Sequence, residues 1–330
     1  MIKKQDIIWV FSRKNPDRLP SYVVSGILPA NFLGILKIIF LKNHNASKTL
    51  DRYNPKLIIL ATPFHSDLIE LVKEAKRRKI IVITTFDDWN FKKETEFDIL
   101  QNELKLSISK YSDSIVVKTF TAAKFIKNQI GINADVIPDC LRFTNNDSIK
   151  KIDYPFNLSW FGMHTNQDTL KFGLKEIIDS KYKCKIKVIT GRLNDLKNSL
   201  SDLNLKNIEL DYIEWQPSMD QDVIKSDIVI IPYINDDRRL VKSQNRITDS
   251  MSMGRFVICS EIDFSKEFKK YCYVGNLGKG LDWVYNNREN AIKKAVLGKN
   301  YVDSKFNIEK ISEYWINLIN DIFEKFNKNL

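Results

Sequence analysis

The sequence predicts an α/β protein of two doubly wound parallel-sheet domains facing a central cleft. Three observations predict it. Short apolar runs alternate with amphipathic helical stretches along the chain. The runs are continuous rather than alternately apolar and polar, as strands covered on both faces require. The pattern lapses once, over 138–155, and then restarts. At 330 residues the chain exceeds the usual size of one hydrophobic core, so the lapse reads as an interdomain linker.

In the first half the expected strands are "DIIWVF" (6–11), "LIILA" (57–61), "IIVITTF" (80–86), "SIVVK" (114–118) and "ADVIP" (134–138). Helical patterns fall between them at 66–79 and 121–131, the second closed by Gly131 as a C-cap. The segment 21–42, "SYVVSGILPANFLGILKIIFLK", is too interrupted by Pro29, Asn31 and Lys37 to span a bilayer. It reads either as a buried helix or as an apolar helix lying on an anionic membrane surface, because Arg18 to Leu50 contains no Asp or Glu. The second half repeats the scheme with strands at 157–162, 184–190, 207–213, 227–233, 255–260 and 272–276. The expected domains are therefore Rossmann-like units at 1–145 and 146–306, with a closing helix at 307–326 packing back on the first.

Composition narrows the partners. Lys+Arg 52 against Asp+Glu 41 gives a formal charge of +11, which suits an anionic ligand or surface. The basic residues are dispersed and no groove-reading motif is present, which argues against nucleic acid. Cys140, Cys184, Cys259 and Cys272 are scattered, without metal-ligand or disulfide spacing. The N-terminal apolar run ends in charge, so it reads as a first strand rather than a signal peptide. A cytoplasmic protein is expected, with peripheral contact at the inner face of the membrane left open.

In parallel α/β domains the groups just past strand C-termini face the binding crevice. That rule selects His65, Asp87 and Asp88 in the first domain. His65 is a candidate general base, and one of the two aspartates could take an acceptor hydroxyl proton. In the second domain it selects Gly162, His164 and Arg192. The stretch "VKSQNRITDSMSMGRFVICS" adds a helix capped by Ser243 or Asn245 and ended by Gly254. Its N-terminus, with Lys242 and Arg246 nearby, is a ready anion site, and Asp249 could accept bonds from a ribose.

These segments resemble the GT-B glycosyltransferases, in particular the family-four-like enzymes. "KSQNRITDSMSMGRFVICS" is similar to their "NKLxEAMAxGxPVV" segment, with Asp249 at the place of the nucleotide-ribose Glu. "SDSIVVKTFTAAKFI…ADVIPD" resembles the end of the first domain, "LSWFGMHTN" the start of the second, and "EWQPSMDQDVIKSDIVIIPY" its donor-binding middle. "RLPSYVVSGILPANFL" resembles a first-domain "SxRYRxxxPAxxL" stretch. The resemblance implies transfer of a sugar from a UDP- or GDP-linked donor to a glycan or lipid-linked acceptor, in surface polysaccharide or lipopolysaccharide synthesis. It implies no metal and no cofactor beyond the donor. Trp215 would meet the base, Lys242 to Arg246 the diphosphate, and Asp249 the ribose. The alternatives are a non-catalytic sugar-nucleotide or partner-binding protein, and a sugar-nucleotide epimerase. The chain departs from the pattern at Val241, where a carboxylate is usual, and in lacking the phosphate-binding "GR…K" after Phe161.

Overall fold

The computed structural model describes residues 3–87, 89, 95–143 and 149–328. The chain divides into two compact units. Unit 1 comprises Met1–Arg142, Leu240–Ser243 and Phe306–Leu330; unit 2 comprises Phe143–Arg239 and Gln244–Lys305.

Unit 1 holds β1 (Ile7–Phe11), β2 (Leu36–Ile39), β3 (Leu57–Leu60), β4 (Ile81–Thr85), β5 (Ser114–Val117) and β6 (Asp135–Val136). They form one parallel sheet in the order β2-β1-β3-β4-β5-β6. Successive side chains in a strand point to opposite faces, and both faces are covered here. Trp9, Phe11, Ile59 and Ile83 pack with Trp315 and Ile319 of the C-terminal helix Ile308–Lys328. Ile8, Val10, Ile58 and Val82 pack on the other side, with Leu50 and Leu71 of the helices Ala46–Tyr53 and Asp67–Arg77. That is why these strands read as unbroken apolar runs. Trp9 meets Trp315 edge to face, with centroids 4.8 Å apart, which fixes the C-terminal helix on unit 1.

The segment 21–42 is not one helix. Residues Pro20–Tyr22 and Leu28–Leu33 are α-helical with a π-helical turn, Val23–Ile27, between them. Gly34 then turns left-handed at φ 68° and ends the helix, and "LKII", with its two β-branched isoleucines, becomes β2. A run of similar hydropathy throughout concealed the change of period at that glycine.

Unit 2 holds β7 (Phe156–Phe161), β8 (Cys184–Thr190), β9 (Ile208–Glu214), β10 (Ile228–Ile231), β11 (Phe256–Cys259) and β12 (Tyr273–Val274). The order β12-β11-β10-β7-β8-β9 is all parallel and reverses direction between β10 and β7. Counted from β7 this is the strand order of the dinucleotide-binding fold. The helix Leu277–Asn286 packs closely on the helix Gln167–Ile178: a Cβ at Gly278 would collide with the Glu176 carbonyl oxygen. Gly278→Ala is therefore expected to destabilise unit 2 by about 1–3 kcal/mol, read as a lowered urea midpoint at unchanged slope.

Candidate functional site

The rule for open α/β sheets puts ligands outside the carboxyl ends of the strands where the order reverses. In unit 1 that point lies between β1 and β3, and the protein's own side chains fill it. The buried Tyr22 donates its hydroxyl to the Thr62 carbonyl at 2.9 Å and shares a 2.9 Å bond with Ser12 Oγ. Burial pushes the Tyr22 phenol up to about 12. The segment after β1 carries no glycine-rich turn.

At the other strand ends of unit 1, Lys118 lies fully buried beside two carboxylates. Its Nζ stands 3.5 Å from Asp87 Oδ1 and 3.6 Å from Asp139 Oδ1. The second oxygen of Asp87 is 3.5 Å from Ser25 Oγ, on the π-helical turn. Asp87 is thus engaged on both oxygens. His65, at the end of β3, stacks on Phe40 and has Nε2 3.0 Å from the Phe40 carbonyl oxygen. A carbonyl only accepts, so Nε2 donates to it, and Nδ1 is buried without a hydrogen-bond partner. Asp88 lies outside the described residues.

In unit 2 the order reverses between β10 and β7, and here the strand ends converge on one cation. Gly162 directly follows β7. Tyr233 follows β10 and is buried, which raises its phenol pKa while the Arg246 charge opposes the rise. Arg246 is the second residue of the helix Asn245–Ser252. Its guanidinium carbon stands 4.9 Å from the Tyr233 ring centre, and its Nη1 is 3.6 Å from where a Gly162 Cβ would sit. That Nη1 is buried and has no hydrogen-bond partner. A buried guanidinium N–H left open costs free energy unless an acceptor arrives.

The helix start completes the cradle. The residue before it, Gln244, is buried, makes no side-chain bond to the first turn, and has an unpartnered Oε1. This corrects the expectation that Ser243 or Asn245 caps the helix: Asn245 is already its first helical residue, and Gln244 holds the cap position. Gly254, at φ 71°, follows the helix end. Lys242 and Ser243 belong to the stretch of chain assigned to unit 1, whereas Asn245, Arg246 and Asp249 belong to unit 2. Asp249 is buried, one turn beyond Arg246. His164 begins a short 3-10 turn just after Gly162 and is half-buried.

Two features escaped sequence reading. Arg239 is buried and pairs with Asp236 and with Asp168 near the start of the helix Gln167–Ile178, tying the loop after β10 to the segment after β7. Only the spacing of a basic residue after a strand could have flagged it. Past β8 and β9 there is also an open depression of about 600 Å³ lined by Arg192, Asn194, Asp195, Lys197 and Glu214. Arg192 stands there in a left-handed conformation, φ 57°. Trp215 extends β9, its amide bonded to the Thr190 carbonyl at 3.0 Å. Strands lie about 4.8 Å apart, so β7 and β9 are separated by about 10 Å. Among the described residues no cluster of three His, Cys, Asp or Glu side chains is placed to hold a metal ion.

The sequence matches no family model and no curated protein. Solved structures do match. Anabaena HepE, solved with UDP and glucose, superposes at a TM-score of 0.73 with 9% identity, covering 96% of this chain and 99% of that one. A point mutant of Staphylococcus aureus TarM, solved with fondaparinux, alpha-GlcNAc-glycerol and UDP, gives 0.61 with 14% identity over 83% of this chain, which spans 58% of TarM. AviGT4, a glycosyltransferase involved in avilamycin A biosynthesis, gives 0.58 with 8% identity, covering 97% and 98% of the two chains. At such identities the likeness is one of architecture: the chain has the two-domain GT-B fold.

Proposed function

We propose that the protein is a glycosyltransferase that holds a nucleoside-diphosphate sugar on unit 2 and transfers the sugar to a glycan or lipid-linked acceptor. The supporting observation is the buried, unpartnered Nη1 of Arg246 at the β7–β10 reversal, beside Gly162 and the start of a helix. In this reading the diphosphate lies against Arg246, Gly162, His164 and the first-turn amides, that of Asn245 among them. Asp249 accepts from the ribose. The base lies over the β8 and β9 ends, by Arg192 and Trp215. When the bond from the anomeric carbon to the phosphate oxygen breaks, the electron pair stays on the diphosphate. Arg246 and the helix amides stabilise that charge without need of a metal. The acceptor is assigned to unit 1, where His65 Nδ1 is the group able to take the hydroxyl proton. HepE and TarM, both solved with UDP, support a uridine donor.

A thermal-shift series tests the donor site. With UDP, GDP and ADP each offered in the presence of a chelator, at least one is expected to raise the melting temperature. Saturation a hundredfold above Kd stabilises by about 2.7 kcal/mol. No shift with any of the three removes the donor site from unit 2. Slow hydrolysis of a sugar nucleotide, lost in His65→Ala, would then separate a transferase from a protein that only binds.

A further inference from the structure

Unit 1 carries two side chains, one at a strand end on each side of His65, that neither the donor nor the proton transfer employs. They stand past β1 and β5, in the sheet order β1-β3-β4-β5. Arg13, two residues beyond β1, is half-buried with its guanidinium carbon 3.4 Å from the Phe64 ring centre. Burial raises the Tyr22 phenol pKa, and the neighbouring Arg13 charge works against that rise. A guanidinium held over a ring face keeps its N–H edges for other partners. Among the described residues Arg13 forms no ion pair.

Phe120 opens the helix Phe120–Ile130 directly after β5. Thr119 Oγ1 accepts the Ala122 amide at 3.0 Å and fixes the backbone there. The helix buries Ala122 and Ile126, and Phe120 stands off that face, 81% exposed. A single exposed apolar residue is ordinary. This one sits at the ligand-binding end of the sheet, two strand spacings, about 10 Å, along from the strand of His65. Charge differs between the two ends. Lys118 cancels one of the two charges of Asp87 and Asp139, which leaves the β4 to β6 end net negative. The segment after β1 holds Arg13, Lys14 and Arg18 against Asp17 and is net positive.

We propose that the acceptor is an anionic oligosaccharide laid across these strand ends, with a carboxylate or phosphate on Arg13 and a neutral sugar ring on Phe120. A planar guanidinium offers paired N–H groups to either anion. The C–H face of a sugar is slightly positive and meets the negative face of an aromatic ring. The reacting hydroxyl belongs to the residue between them, at His65. Charge sets the direction, because the reversed chain would bring its anion beside Asp87 and Asp139. A single sugar reaches only one of the two groups. The inference rests on the reading that unit 1 takes the acceptor, and it names the class of that acceptor.

Saturation-transfer NMR titrations of the full chain provide the test, with cellotetraose, cellotetraose 6-phosphate and the carboxylate-bearing hyaluronan tetrasaccharide as probes. At least one charged probe is expected to bind about 10- to 100-fold more tightly than cellotetraose, and it identifies the anion. Arg13→Ala should remove that preference while cellotetraose binds as before, a result that mere loss of structure does not produce. Arg13→Lys should recover part of it. Phe120→Ala should weaken charged and neutral probes alike, by about 2- to 10-fold. At 81% exposure that ring can be removed without disturbing a core. Equal affinity for charged and neutral probes, binding of none, or unchanged affinity in Phe120→Ala overturns the proposal. So does a concentration-dependent dimer that Phe120→Ala dissolves, which would assign the ring to a second copy. The nucleotide thermal shift of the parent chain separates the two readings. A shift without preference among the oligosaccharides overturns this inference alone. Preference without any shift overturns the transferase reading and leaves the oligosaccharide site in place.

Discussion

Lys118→Met is expected to destabilise unit 1 by about 3–5 kcal/mol, the usual cost of removing one partner from a buried ion cluster. Lys118 is 1% exposed at the end of β5, with Asp87 and Asp139 either side at 3.5 and 3.6 Å. Methionine matches the volume of the lysine stem but leaves two buried carboxylates facing one another. For a unit of this size the loss lowers the melting temperature by about 6–20 °C. The triple variant Lys118→Met/Asp87→Asn/Asp139→Asn should recover much of it, because it removes the charges together. Differential scanning calorimetry of the single and triple variants checks both results. A single variant that melts within about 2 °C of the parent would show that the cluster carries little stability. The cluster also defines the surroundings of Asp87: its carboxylate is engaged by Lys118 and lies beside Ser25, on the floor of the strand ends.

Arg246→Ala is expected to weaken nucleoside-diphosphate binding about 10- to 100-fold, since hydrogen bonds to charged groups contribute about 1.5–3 kcal/mol. Isothermal titration with the diphosphate that gives the largest thermal shift measures it. Arg246→Lys should recover only part of the loss, because an ammonium keeps the charge but cannot present the planar fork. The unliganded melting temperature should change little. The side chain is only partly buried, and its Nη1 bonds to nothing in the described structure. Unchanged affinity in Arg246→Ala would take this residue out of the phosphate site.

The fold was legible because its signal is local. Strands such as "IIVITT" and "DIVII" are apolar throughout since both their faces are covered, and the covering helices carry their own amphipathic period. The exception was β2. Its four residues follow Gly34 without a change in hydropathy, and only the left-handed glycine marks where the helix ends.

The site divides along similar lines. The sequence by itself determined the strand ends, and it placed Gly162, Arg246 and a helix start at them. What only the tertiary structure decided is which of those polar groups are already engaged by the protein itself. Val241 stands where the related pattern carries a carboxylate. It is buried with Phe86, Trp89 and Val117 in an apolar cluster of unit 1, where an ionised side chain would be costly. His65 and Asp87 share the same kind of address at strand ends, yet one is held by the Phe40 carbonyl and the other by Lys118. Arg246 shows a buried guanidinium nitrogen with no partner, and it does so beside the reversal of the sheet. Position along a chain reports the end of a strand. Whether a polar group there is already satisfied depends on neighbours distant in sequence, and those are set by packing.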